Sequence, residues 1–442
     1  MDDDYRAFAD AIAADIAAGV LRPGDRLPTQ RRFARDRGIA VSTASRVYGE
    51  LVRRGLVVGE VGRGTFIRAS PPMEPWLAEP SGTPVDLQLN FSVLPGQPAR
   101  QAASMERLLR PDVLGASLET VGVAGTSAMR ELTAQFLARA GWTPSPSQVL
   151  FSGNGRQVLA GAISALVPTG ERLGVEALTY PLVKAIAGRL GVQLVPLEMD
   201  AHGVRPEALA AAGSLRAVYL QPTLHNPLGI TMPDERRAEI ASTVRGLDLP
   251  VIEDAVYAYL AEDVAPLARW IPERTIVVDS MSKRLAPGLT LGFAVVAEAY
   301  VERVTAALRS GGWTAPHFAM TAAAAWMSDG TAASLAADKR RDALSRQALM
   351  RSRLAGFRVV SDPRCYHCWW ELPEPWRAET FLAAAGRQGI AVSPAASFTT
   401  GAGHAPNAIR LALSVPPEET LSWALDVLAS LARSTPEAAG ID

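Results

Sequence analysis

Apolar residues near the N-terminus recur at helical spacing. Phe8, Ile12 and Ile16 mark one face of a helix over residues 5–18, which Gly19 and Pro23-Gly24 stop. Thr29 follows Pro28 and can cap a second helix, Gln30–Arg37, that Gly38 ends. Ser42 or Thr43 can cap a third running to about Arg54. Its Ala44, Val47, Tyr48 and Leu51 share one face, while Ser42, Thr43, Ser45, Arg46 and Gly49 share the other. Two short apolar runs, 56–58 and 65–67, flank a glycine-rich turn and predict a hairpin. Helix, helix-turn-helix and hairpin describe a winged helix-turn-helix over residues 1–68. The third helix would enter a major groove N-terminal end first, with Arg63 at the wing tip suited to a phosphate or minor-groove contact. A small helical dimerisation module would share the same helices.

The pattern then changes twice. Residues 69–85 hold Pro71, Pro72, Pro75, Pro80 and Pro84 with few core-forming side chains, as in a semi-stiff linker. From about Asp86 to 436, short apolar runs alternate with amphipathic stretches. Strands are expected at 149–151, 172–175, 217–220, 251–252 and 276–278, an α/β pattern with a mostly parallel sheet. Ligands of such sheets gather at the carboxyl ends of the strands.

Composition changes this picture in two ways. Hydrophobic content of 48% and charged content of 20% suit a soluble globular chain with ample core. The acidic start lacks the basic and apolar regions of a signal peptide, no apolar run nears the ~20 residues of a membrane helix, and two cysteines make no disulfide framework. A cytoplasmic protein is expected. The net charge of −1 conceals an asymmetry: Arg22 to Arg68 holds 11 arginines against 4 acids, so the remainder is acidic. A basic end on an acidic body suggests a polyanion partner, here double-stranded DNA.

The chemistry lies at the strand ends. Lys283 is one of three lysines in a chain that otherwise uses arginine, and it follows the 276–278 run in Asp279-Ser280-Met281-Ser282-Lys283. A lysine at a buried strand end loses hydration, which favours the neutral amine that attacks carbonyls; an ordinary loop lysine is the alternative. Strand 149–151 is followed by Ser152-Gly153-Asn154-Gly155-Arg156, whose backbone N–H groups could open a helix toward a phosphate. Tyr180 offers a stacking ring or is a half-buried tyrosine. Asn226 offers an amide, and Glu253-Asp254-Ala255-Val256-Tyr257 a carboxylate and a phenol. Pyridoxal 5'-phosphate (PLP) requires this combination: a lysine for its aldehyde, a carboxylate at the pyridine nitrogen, donors to the ring oxygen, a stacking ring and a phosphate cradle.

Two family resemblances run through the chain. Gly24-Asp25-Arg26-Leu27-Pro28-Thr29-Gln30-Arg31, Ser42 to Tyr48, Leu51, Gly55 and Gly62-Arg63-Gly64-Thr65-Phe66 resemble the GntR-type winged helix, which implies that Arg31, Ser42, Thr43, Arg46 and Gly64 lie at the DNA. Asn226-Pro227-Leu228-Gly229, Asp254 with Tyr257, Ser280-Met281-Ser282-Lys283 and Asn407 to Ala412 resemble the fold-type-I PLP-dependent aminotransferases, a mostly parallel large domain with a small α/β subdomain. By that resemblance Lys283 forms the internal aldimine and shuttles the proton at the substrate Cα. Asp254 pairs the pyridine nitrogen, Tyr257 and Asn226 bond the ring oxygen, and Tyr180 stacks. Asn154, Gly155, Arg156 and Ser280 hold the phosphate, and Arg410 grips the substrate carboxylate. In this order the two domains resemble MocR-type regulators, which implies a homodimer on two DNA half-sites. The expected function is PLP-dependent transcriptional regulation in response to an amino acid, an amine or PLP. A working aminotransferase with an accessory DNA-binding domain is the alternative.

The chain departs from its families at several points. Thr290 stands where the aminotransferases place a phosphate-binding arginine, and Thr120 where they place a tyrosine reaching the neighbouring subunit's phosphate. Arg156 or Arg284 is expected to supply the missing charge. Asn226 is the aminotransferase-like choice where many MocR-type regulators carry an aromatic. Cys365-Tyr366-His367-Cys368 lacks a second Cys/His pair for zinc and runs into an expected strand, so no metal is expected. Asp338-Lys339-Arg340-Arg341-Asp342 has the composition of a solvated helix face.

Overall fold

The computed structural model describes residues 4–18, 20–22, 24–53, 56–60, 64–67, 82–401 and 405–440. Arg63 and most of the expected linker lie outside them.

The N-terminal elements are α1 (Asp4–Ala17), β1 (Arg26–Leu27), α2 (Gln30–Arg37), α3 (Val41–Arg53), β2 (Val57–Glu60) and β3 (Gly64–Ile67). The Thr29 side chain accepts from Arg32 N, and Gly38 closes α2 in the left-handed region at φ 65°. Neither Ser42 nor Thr43 caps α3. The helix already starts at Val41, ahead of both, and the Ala40 carbonyl takes the first bond, from Ala44 N. The apolar face of α3 is buried with Phe33, Val57 and Ile67, and the Tyr48 hydroxyl donates to Pro28 O at 2.5 Å. β1 adds a third strand to the hairpin, in the order β1-β3-β2.

The body begins at β4 (Val85–Asp86). Its main sheet is built from β5 (Val149–Ser152), β6 (Arg172–Glu176), β7 (Gln193–Leu197), β8 (Ala217–Leu220), β9 (Val251–Asp254), β10 (Thr275–Ser280) and β11 (Gly292–Val296), ordered β5-β11-β10-β9-β8-β6-β7. Only β11 runs antiparallel to its neighbours. Helices α4 (Gly155–Leu166), α5 (Pro181–Leu190) and the single turn α6 (Met281–Arg284) start just beyond β5, β6 and β10. The sheet's inner strands are buried along their whole length, as a parallel sheet covered on both faces requires.

The small subdomain joins α7 (Thr331–Arg353) to an antiparallel sheet of β12 (Arg358–Val360), β13 (His367–Glu371), β15 (Ser393–Pro394) and β16 (Ala408–Ala412). Between β13 and β15 runs β14 (Ile390–Ala391), which pairs in parallel with β4 and ties the chain's entry to this subdomain. Cys368 lies in β13 as expected, and both cysteines are buried in separate apolar clusters. Among the described residues no group of three or more His, Cys, Asp or Glu could hold a metal, and no helix is long and apolar enough to cross a membrane.

Candidate functional site

The carboxyl ends of β5, β9 and β10 open on a cavity of about 420 Å3. β9 ends there in Asp254, whose Oδ2 accepts from the Tyr219 hydroxyl at 2.7 Å and Oδ1 from Val256 N at 3.2 Å. Burial pushes its carboxyl up to about 6, against those two hydrogen bonds. At neutral pH it is still mostly a carboxylate, able to hold a cationic ring nitrogen.

β10 ends in Ser280, whose Oγ caps α6 by accepting from Ser282 N at 3.3 Å. The turn carries Lys283 into the cavity. Its Nζ donates to Asn90 O at 2.7 Å and stands 3.5 Å from the Phe91 ring centroid. Removal from water, reinforced by the positive charges of Arg156 and Arg410, holds its pKa well below the ordinary lysine value. The loop reading of Lys283 is therefore set aside: its amine is inside the cavity and poised to be neutral.

β5 leads into α4, where the Asn154 side chain accepts from Gln157 N at 3.0 Å. A Cβ on Gly155 would stand 3.1 Å from Ser280 Oγ, so the helix N-terminus and Ser280 meet through the glycine. Asn154, Gly155, Arg156, Ser280 and Thr290 line this end together, with the Thr290 and Ser282 hydroxyls 2.5 Å apart. Unpaired N–H groups, hydroxyls and one arginine form an anion cradle. Thr120 is exposed and does not line the cavity.

Tyr180, Asn226 and Tyr257 line the remaining walls with Val256, Val278 and Val415. Tyr180 precedes α5, and burial raises its hydroxyl while neighbouring Arg156 lowers it. Asn226 is buried with its Oδ1 lacking a partner. Burial pushes Tyr257 far above its ordinary value, so it is a neutral phenol.

Two predicted residues behave differently. Arg284 is not at the cavity. It follows Lys283 on the turn and points the opposite way, pairing with buried Asp279 at 2.5 Å between the rings of Phe136 and Tyr259. Arg284, expected as one of two sources of the missing charge, does not line the cavity; Arg156 is the arginine on the lining. Arg410, in β16, sits behind the lining and donates through Nη2 to Gln88 O at 2.6 Å and Ser393 Oγ at 3.0 Å. Its Nε has no partner and, among the described residues, no carboxylate pairs with it. Lys339 overturns the solvated-face reading: it is fully buried, and its Nζ donates to Ser92 O, Lys283 O and Leu285 O at 2.6, 3.1 and 2.6 Å.

These contacts expose a feature that sequence reasoning missed. Three alternate carbonyls, of Gln88, Asn90 and Ser92, accept from three basic side chains, Arg410, Lys283 and Lys339. The segment after β4 is thereby strapped across the site. Asn90 also reaches Tyr257 and His367 with its side chain.

On the N-terminal domain, Ser42, Ser45, Arg46 and Gly49 form the exposed face of α3, and Arg31 is exposed on α2. The Arg46 guanidinium lies 5.6 Å from the Tyr5 ring. Thr43 is half-buried. Gly64 opens β3 at φ 128°, and a Cβ there would strike the Arg26 guanidinium.

The comparisons with known proteins agree with this geometry. The family described as aminotransferase class I and II matches residues 110–428, and the gntR family of bacterial regulatory proteins matches residues 4–67. YdeF of Bacillus subtilis, described as an uncharacterized HTH-type transcriptional regulator, is 30% identical over 93% of this chain and 90% of its own. The HTH-type pyridoxine biosynthesis transcriptional regulator PdxR of Corynebacterium glutamicum is 26% identical over 66% of each chain. Among solved structures, an archaeal alanine:glyoxylate aminotransferase superposes with a TM-score of 0.70 at 23% identity, over 79% of this chain and 90% of its own. The α-aminoadipate aminotransferase LysN of Thermus thermophilus, solved with N-(5'-phosphopyridoxyl)-L-leucine, gives 0.70 at 21% identity over 80% and 93%. At these identities the structures speak for the fold.

Proposed function

Because the chain belongs to the aminotransferase class I and II family and carries a gntR-family module, we propose that it is a PLP-dependent, DNA-binding transcriptional regulator. The observation that carries this is the presence in one chain of an exposed polar helix face on a basic domain and a desolvated lysine in an aminotransferase-type cavity.

The residues present fit PLP. The Gly155–Ser280 contact leaves a cradle that a side chain would fill, and Asn226 and Arg410 each keep a buried polar atom without a partner. In this reading Lys283 holds the aldehyde carbon, Asp254 the pyridine nitrogen, and Tyr257 and Asn226 the ring oxygen. Tyr180 covers the ring, and Asn154, Gly155, Arg156 and Ser280 hold the phosphate. When bound, the cofactor supplies an electron sink for bonds at an amino acid's Cα. The low proton affinity of Lys283 suits its amine to take and return the Cα proton. Arg410 binds the ligand carboxylate through a planar fork, which requires its Nη2 to release Gln88 O or Ser393 Oγ. The apolar walls of Val256 and Val278 keep water from the reacting face.

The effector is an amino acid, an amine or PLP itself, and the target is double-stranded DNA, read by Ser42, Thr43, Arg46 and their neighbours in a major groove. A homodimer would present two winged helices to two half-sites, in the cytoplasm where the DNA lies. The same cavity residues would also serve a working aminotransferase. Purified protein mixed with PLP should turn yellow, and Lys283→Ala should not. A panel of amino acids added to the yellow protein should change DNA affinity. Rapid keto-acid production with no change in DNA binding would favour the enzyme instead.

A further inference from the structure

The strap contributes a side chain whose role follows from hydrogen-bond chemistry alone. His367 is fully buried, and its Nε2 lies 2.9 Å from the carbonyl oxygen of His225. A carbonyl only accepts, so Nε2 carries a proton. Among the described residues the ring has no carboxylate partner, and its burial, with the charge of Arg410 nearby, disfavours a second proton. Its Nδ1 is therefore bare. The group facing Nδ1, at 3.4 Å, must be a donor, which makes it the amide nitrogen of Asn90 rather than its oxygen. That same nitrogen stands 3.0 Å from the Tyr257 hydroxyl. One amide hydrogen serves His367, and the other is given to Tyr257. The Tyr257 oxygen is thus an acceptor on that side, and its own proton must point elsewhere. Tyr257 lines the cavity, so the open direction faces the ligand.

We infer that Asn90, oriented by His367 and the His225 carbonyl, is a positioning residue that aims the Tyr257 hydroxyl proton at the ring oxygen of the cofactor. This rests on reading the cavity as a PLP site. Asn90 needs no contact with the ligand: it sets the direction of a donor that does. The strap that carries it also gives its carbonyl to Lys283, so the amine and the phenol are registered by one residue.

Two measurements test this. Nitrogen NMR of the full chain without added cofactor should show His367 protonated at Nε2 and bare at Nδ1. A proton on Nδ1 would overturn the orientation of Asn90, whatever the cavity binds. The second uses PLP-saturated protein and the pH midpoint of its visible absorbance. A donor at the ring oxygen draws off negative charge and weakens the hold on the nearby imine proton. Asn90→Asp places an acceptor against Tyr257 and turns its proton away from the cavity, so the midpoint should rise. In a Tyr257→Phe background the same substitution retains only its added charge. The rise should be larger with tyrosine than with phenylalanine by about one pH unit, tenfold in proton affinity. Equal rises in both backgrounds would overturn the inference. If the unaltered protein stays colourless with PLP, the cofactor reading fails, and the NMR result still decides the direction of the Tyr257 proton.

Discussion

Replacing Arg284 and Arg156 separately by alanine distinguishes an arginine that holds the fold from one that holds a ligand. Arg284 is 5% exposed and Asp279 1%, and their ion pair is 2.5 Å long. Alanine would strand the Asp279 carboxylate in the core, with only the Ser280 N–H among the described donors still bonded to it. Breaking one half of a buried pair costs about 3–5 kcal/mol. The packing of the guanidinium on Phe136 and Tyr259 is lost as well. Against a typical domain stability of about 5–15 kcal/mol, this is a large share. Arg156 sits exposed at the cavity rim, and no carboxylate among the described residues pairs with it. Its removal should change stability by less than about 0.5 kcal/mol. It should, however, remove a charge-assisted hydrogen bond of about 1.5–3 kcal/mol to the phosphate, roughly 10–100-fold in affinity. Urea unfolding followed by tryptophan fluorescence reads the first effect, and titration with PLP followed by visible absorbance reads the second. Arg284→Ala should shift unfolding strongly and leave PLP affinity within about twofold, because Arg284 does not line the cavity. Weaker PLP binding by Arg284→Ala at an unchanged unfolding midpoint would refute the assignment.

Three further outcomes follow from named contacts. Lys339→Met leaves the Ser92, Lys283 and Leu285 carbonyls without their donor and should destabilise the chain by about 2–4 kcal/mol, measured by urea unfolding, because orphaning three acceptors outweighs the relief of a buried charge. His367 is held down to about 3 by burial, below its unfolded value of 6.5, so the unfolded chain binds the extra proton between those values. Stability should therefore fall as pH drops through that window, by up to about 1.4 kcal/mol per pH unit from this group, and His367→Gln should flatten that slope in unfolding curves. Arg46→Ala should weaken DNA binding; if its partner is a phosphate, the loss is uniform across sequences and the salt dependence falls by about one counterion, both read by titration at several salt concentrations.

Where local rules and burial act together, the sequence is legible to the residue. α2 matches its expected limits because Thr29 and Gly38 define both ends, and β8 because Ala217–Leu220 is buried throughout. The strand-end rule brought Lys283, Asp254, Tyr257, Asn226, Tyr180 and the α4 N-terminus to one cavity. What escaped was the work of single residues against backbone. Residues 88–92 have no periodicity to betray them, since their carbonyls bind the basic side chains. Lys339 and Asp338 are adjacent, yet one points into the core and the other pairs with Arg100, because a helix turns about 100° per residue. The same rotation sends Arg284 away from the cavity that Lys283 enters. β11 was missed because an antiparallel strand reached from β10 through residues 281–291, with no long helix between, breaks the alternating pattern.

In the proposed mechanism, chemistry at Lys283 governs DNA binding. The most direct measurement is DNA affinity of the intact chain and of Lys283→Ala, each with PLP and with PLP plus an amino acid panel. At least one ligand should change the affinity of the unaltered chain severalfold while leaving Lys283→Ala unmoved. Identical responses in the two proteins, or a yellow protein whose DNA affinity ignores every ligand, would contradict it.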